Sequence, residues 1–140
     1  MSNKRLCQWT ETRLLAKHIA DVINTEHPGC TLITCTRGGL FVTGLVTYFL
    51  NWKPTVLSLG ESTNKEIRVD RDIIFIDDIL DTGRTARMIQ SSLGDIPNYF
   101  LFDKPVPERE FTPKNYLASE KVSDLAWIVF PWEILHEAGF

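Results

Sequence analysis

The chain of 140 residues, 44% hydrophobic and 24% charged, has the length of one domain and enough apolar surface to bury a sizeable core. Four Trp, eight Phe and three Tyr exclude a disordered chain, and a net charge of −3 argues against a general binder of duplex nucleic acid, which favours a basic face. Cys7, Cys30 and Cys35 are odd in number and lack paired metal-ligand spacing, so they read as small buried hydrophobes in a reducing compartment.

The opening MSNKRLCQWTETR has no apolar core of a signal peptide, and the longest mainly apolar stretch, Gly38 to Leu50, is 13 residues against the ~20 of a membrane span. A soluble, cytoplasmic domain is expected. Thr10 to about Thr25 is predicted as a helix, with Leu14, Leu15, His18, Ile19, Val22 and Ile23 on one stripe and Thr10 as N-cap. His18 on that stripe reads as a packed core histidine. Pro28-Gly29 ends the helix, and the β-branched run Thr31–Cys35 reads as a strand. Thr36-Arg37-Gly38-Gly39 follows, then an apolar helix from Leu40 to about Leu50. Thr55–Leu59 is a further strand, and 60–71 is polar without an apolar period. The continuous apolar run Asp72–Ile76 is expected of a strand covered on both faces. A helix through Ala86, Met88, Ile89 and Leu93 is closed by Gly94 and Pro97, and Tyr99–Phe102 forms another strand. Prolines 105, 107 and 113 argue for loop, and the last apolar run, Ala126–Phe130, is cut by Pro131-Trp132-Glu133. Strands alternating with helices predict an α/β fold, a mainly parallel sheet with helices on both faces. Ligands of such sheets bind at the C-terminal ends of the strands.

Segment 72–86, DIIFIDDILDTGRTA, carries the most chemistry. A buried strand delivers Asp77 and Asp78, whose carboxylates accept from sugar hydroxyls or hold a partly hydrated Mg²⁺. Asp81, Thr82, Gly83 and Thr85 then lead into a helix, where free N–H groups, hydroxyls and the positive helix end suit a phosphate monoester. A phosphate seat beside a diol or metal seat points to a phosphorylated sugar; an acidic turn with a helix cap is the plainer alternative. An Asp pair with a later Lys-Pro also resembles phosphoacceptor receiver domains, but there the pair follows the first strand, and here two strands precede it. The whole run resembles the signature of type I phosphoribosyltransferases: apolar residues, two acids, two apolars, Asp-Thr-Gly, a variable residue and Thr. Many members carry Gly at the place of Arg84, and some 6-oxopurine enzymes carry a basic residue.

The resemblance extends from Trp9 to Glu133 and is weakest over 52–71 and 105–125. It implies one phosphoribosyltransferase domain over 1–140, with hood elements from 104–140. The 5-phosphoribosyl 1-diphosphate (PRPP) site is then Arg37, Gly38 and Gly39 for pyrophosphate, Asp77 and Asp78 for the ribose hydroxyls, and Asp81, Thr82, Gly83, Arg84 and Thr85 for the 5′-phosphate. Read from residues alone, 36–39 is a glycine turn where backbone can approach an anion and Arg37 can pair with it. Asp78, with Asp77 beside it, is the expected Mg²⁺ ligand, and Asp81 the general base or acid near purine N7. Lys65 or Arg68, in the polar segment, is expected to contact pyrophosphate when the catalytic loop closes; Ser58-Leu59 stands where the family often has Ser-Tyr. Lys104, after a strand, is placed to read the O6 of a purine. The run 126–133 is similar to the end of bacterial xanthine-guanine and short hypoxanthine-guanine phosphoribosyltransferases. Trp127 then stacks on the base, the Ile128 backbone faces its 2-position, and Phe130 and Trp132 pack the core or hood. The implied function is Mg²⁺-dependent salvage of guanine, xanthine or hypoxanthine with PRPP. A homo-oligomer is implied, with no nucleic-acid partner; a non-catalytic sensor of PRPP or nucleotide is the alternative.

Overall fold

A computed structural model describes residues 4–59, 72–123 and 126–137. Strand β1 (Lys4–Leu6) leads into helix α1 (Trp9–Glu26), followed by β2 (Thr31–Cys35), α2 (Gly38–Phe49) and β3 (Val56–Leu59). Then come β4 (Ile73–Leu80), α3 (Arg84–Leu93), β5 (Asn98–Asp103), β6 (Tyr116–Lys121), β7 (Trp127–Val129) and α4 (Pro131–Glu137). Five strands form one parallel sheet in the order β3-β2-β4-β5-β6. β2 and β4 are neighbours whose following connections run to opposite sides, so the crevice for a ligand opens between their C-terminal ends.

Alternation along the strands builds two cores. Leu32, Ile74, Ile76, Tyr99 and Leu101 pack with Ile19, Ile23, Val42 and Val46 of α1 and α2. Ile33, Phe75 and Phe100 point the other way and pack with Ala86 and Ile89 of α3. The expected α/β architecture is therefore present, with apolar residues at every core position of β4 because both faces are covered.

Four local expectations are corrected. Gln8, not Thr10, is the N-cap of α1, and Thr10 lies inside the helix. The buried face of α1 is Thr12, Ala16, Ile19, Ala20 and Ile23, which leaves Leu14 60% exposed. His18 is exposed, its Nδ1 3.2 Å from Ser119 Oγ, and is no core residue. Strand β4 runs to Leu80, so Asp77 and Asp78 are strand residues rather than the start of a loop. Within 104–140, β6 extends the main sheet, while β7 pairs with the N-terminal β1 as a separate two-stranded parallel sheet. Neither β1, β6 nor α4 has a periodic apolar signature. The three thiols are free and buried, as expected.

Candidate active site

Strands β2, β4 and β5 end side by side, and each is followed within two residues by a polar side chain: Arg37, Asp81 and Lys104. After β2 comes Arg37, exposed, preceded by a cis peptide with Thr36 and followed directly by α2. Gly38 and Gly39 open that helix against the end of β4. A Cβ on Gly38 would overlap the Asp78 carboxylate, and one on Gly39 would meet Thr34 Oγ1 and Asp77 Oδ1. Only a chain without side chains there brings the glycine loop so close to the two acids. The crevice predicted from strand order thus has a glycine wall and an acidic wall.

Each acid is tied locally. Asp77 Oδ1 accepts the Asp78 N–H at 2.9 Å, and Asp78 Oδ1 accepts the Ile79 N–H at 2.8 Å. Burial pushes both carboxyls above the usual range; the Asp78 charge adds to this for Asp77, and the Glu133 charge for Asp78. Among the described residues neither pairs with Lys or Arg. Two adjacent uncompensated carboxylates are hard oxygen donors that fit a divalent cation. The described residues contain no group of three or more His, Cys, Asp or Glu able to cage a metal. Asp77 and Asp78 would therefore hold Mg²⁺ only with water or substrate oxygens completing its shell, as is common for this ion.

Beyond β4 the chain makes a cup. Asp81 Oδ1 accepts the N–H of the next residue, Thr82, at 2.7 Å, and Gly83 at φ +84° starts α3. The first turn of a helix leaves N–H groups without intrahelical partners beside Thr82 and Thr85, and that of Arg84 lies 3.4 Å from Thr82 Oγ1. A Cβ on Gly83 would collide with the Phe111 carbonyl, so the loop after β5 forms the floor. Glu110 and Phe111 donate their N–H groups to Thr82 O at 2.8 and 3.3 Å. Arg84 is turned aside: its guanidinium contacts Glu110 at 3.3 Å, Arg87 contacts the same carboxylate at 3.1 Å, and the pairing holds Glu110 below the usual carboxylate range. The Arg84 side chain thus braces the floor, an arrangement its place in the motif did not imply.

Lys104 follows β5 and is buried, its Nζ donating to Ala126 O at 2.6 Å and lying 5.8 Å from the Trp127 ring centre. Trp127 is 58% exposed, offering a free face, whereas Ile128 is buried in register with Arg5. Phe130 and Trp132 stack at 4.8 Å and pack as expected of core residues. Lys65 and Arg68 lie outside the described residues. Two residues escaped sequence reading: Arg109, which reaches the carbonyls of Leu80 and Asp81, and Glu133, which accepts the Phe130 N–H at 3.3 Å. A pattern signal existed only for Glu133, three residues after Phe130 at a helix start with Pro131 in its first turn. A cavity of about 640 Å³ lined by Tyr48, Trp52 and Lys53 sits at the far end of α2 and carries none of this chemistry.

A doubly wound sheet with an acidic pair, a helix-capped cup and a glycine loop at its crevice defines a protein of the phosphoribosyltransferase fold. The chain is 27% identical over 114 residues to a xanthine-guanine phosphoribosyltransferase of Chromohalobacter salexigens, an alignment spanning 74% of this chain and 68% of the relative. No protein-family model matches the sequence. Among solved structures, a purine phosphoribosyltransferase of Pyrococcus horikoshii superposes with a TM-score of 0.74 at 20% identity, covering 94% of both chains. A Neisseria gonorrhoeae protein crystallised with bound ppGpp superposes with a TM-score of 0.72 at 15% identity, covering 99% of this chain and 96% of that one. The chain therefore has the fold of the type I phosphoribosyltransferases and is similar in sequence to one of them.

Proposed function

We propose that the chain is a purine salvage enzyme that joins a 6-oxopurine, guanine, xanthine or hypoxanthine, to PRPP, releasing the nucleoside 5′-monophosphate and pyrophosphate. One observation carries this reading: the glycine loop, the acid pair with its cup, and Lys104 with Trp127 stand at the ends of three adjacent strands. That order matches the order of parts in the substrates, with diphosphate, ribose phosphate and base side by side. The similarity to a xanthine-guanine enzyme supports the same assignment.

Breaking the bond between ribose C1 and diphosphate builds positive charge on the sugar and negative charge on the leaving group, as in glycosyl transfer generally. Mg²⁺, when bound, supplies charge to the diphosphate oxygens. The chain's residues do the rest. Arg37 and the N–H groups opening α2 face the departing diphosphate, and the cup at Thr82–Thr85 holds the 5′-phosphate. Asp77 and Asp78 accept from the ribose hydroxyls and favour positive charge on the ring. Asp81, one oxygen of which accepts the Thr82 N–H, takes or returns the proton at purine N7. Lys104 donates to the O6 carbonyl, and Trp127 stacks on the base with a contribution of roughly 1–3 kcal/mol. Lys65 or Arg68 closes over the diphosphate.

Conversion of guanine, xanthine and hypoxanthine with PRPP and Mg²⁺, followed by ultraviolet absorbance, tests the assignment. Turnover of at least one base that stops on chelation supports it; no turnover of any refutes it. A second reading, a nucleotide sensor of this fold, draws on the ppGpp bound to the Neisseria protein. That reading expects ppGpp to bind where bases and PRPP give no product. A homo-oligomer and a cytoplasmic setting belong to the first reading; Leu6, Trp9 and Ile134 stay exposed near the ends of the described chain, and sedimentation velocity tests the assembly. No helix among the described residues is long and apolar enough to cross a membrane.

A further inference from the structure

We propose that Arg109 is a positioning residue that sets the phosphate cup at a fixed place relative to Lys104; the inference rests on the phosphoribosyltransferase reading. Leu80 and Asp103 are the last residues in register between β4 and β5. Past them the strands part, one toward the cup and one toward Lys104, and the sheet no longer holds their spacing. Arg109 spans the gap. Its Nη2 donates to Leu80 O at 2.8 Å and to Asp103 Oδ1 at 2.6 Å, and its Nε donates to Asp81 O at 2.9 Å. Asp103 is buried, and its other oxygen accepts the Tyr116 hydroxyl at 3.0 Å. The Lys104 N–H donates to the same Leu80 carbonyl at 2.9 Å, so one oxygen joins the base-reading strand end to the cup.

The fork matters because a trans peptide points its C=O and the following N–H in opposite directions. Holding the carbonyls of Asp81 and Thr82 from beneath, by Arg109 and by the N–H groups of Glu110 and Phe111, turns the N–H groups of Thr82 and Gly83 away from the floor. The Thr82 N–H is taken by Asp81 Oδ1, which fixes the Asp81 carboxylate as well. A guanidinium does this with several donors in one rigid plane; an ammonium on a flexible stem cannot reach all three oxygens in fixed directions. Arg109 touches no substrate in this arrangement and acts through the loop it holds.

The test compares wild type with Arg109→Lys and Tyr116→Phe. Calorimetry measures a nucleoside 5′-monophosphate against the same nucleoside without phosphate, alongside KM for PRPP, KM for base, kcat and Tm. The expected result for Arg109→Lys is a phosphate-dependent affinity ratio lowered about tenfold or more, since displaced binding groups lose their alignment, with KM for base little changed. Tyr116→Phe, which removes only a hydroxyl from the surface side of the network, is expected to shift the same ratio in the same direction by less and serves if the lysine variant does not fold. A ratio unchanged in the folded variants, or monophosphate and nucleoside weakened by the same factor, overturns the role of Arg109. A wild-type chain that binds the monophosphate no better than the nucleoside overturns the phosphoribosyltransferase reading and this inference with it.

Discussion

Replacing Gly83 by Ala probes the cup and its floor together. The residue holds φ +84°, where a Cβ costs ~1–2 kcal/mol of backbone strain. The same Cβ would collide with the Phe111 carbonyl, a backbone atom that can yield only by withdrawing the 110–111 segment from Thr82. That withdrawal breaks the two N–H bonds to Thr82 O, each with a net contribution of ~1 kcal/mol. Alanine's stiffer unfolded chain returns about 0.4–1 kcal/mol. The expected loss is therefore about 3 kcal/mol, which for a chain of this length lowers Tm by roughly 10 °C. Gly29→Ala is the control: φ is +80° but nothing lies within 4 Å of its Cβ, so the strain stands alone and the expected loss is about 1 kcal/mol. Urea unfolding of both variants, with monophosphate affinity measured alongside, separates the terms. Equal losses in the two variants would show that loop 105–113 does not press on the cup, and the proposed floor would be wrong.

Asp81→Asn keeps an oxygen for the Thr82 N–H and removes the proton acceptor, so steady-state kinetics should show kcat falling about a hundredfold or more with KM for PRPP changed little; unchanged turnover removes Asp81 from the chemistry. Lys104→Ala should weaken 6-oxopurine binding much more than PRPP binding, and an equal loss for both would mark Lys104 as a structural tie to Ala126 alone. Burial pushes the Cys30 and Cys35 thiols up to about 11, Asp72 adding to the shift at Cys30 and Asp77 at Cys35. Unfolded thiols ionise near 9, so this contribution is fully present below about pH 9 and is lost as pH rises toward about 11. The urea midpoint should fall across that window, and a flat midpoint contradicts it. At pH 8 the folded chain should resist maleimide at all three thiols, whereas the unfolded chain reacts.

What sequence alone decided is what the chain makes with near neighbours. The run from Asp72 to Ala86 is strand, acid pair, turn and helix start in continuous order, so its shape and the anion seat proposed for it are local properties. Helix α1 was legible as a helix for the same reason, but its buried face only in part: Ile19, Ile23, Leu15 and Val22 meet the core as expected. Thr12, Ala16 and Ala20 go inside because small side chains let the helix pack closely on its neighbours, while the bulkier Leu14 faces out and His18 reaches Ser119. β1 and β6 carry no alternating signal because each is half exposed and finds its partner only across the fold, β1 with β7 and β6 with β5. Arg109, Glu110 and Tyr116 lie in a stretch that reads as polar loop, and they acquire meaning when β5 is laid beside β4. Backbone propensity and turn chemistry act over a few residues and can be read along the chain; the direction a helix faces and the carbonyl an arginine reaches are settled by which surfaces pack, and only the tertiary structure decides that.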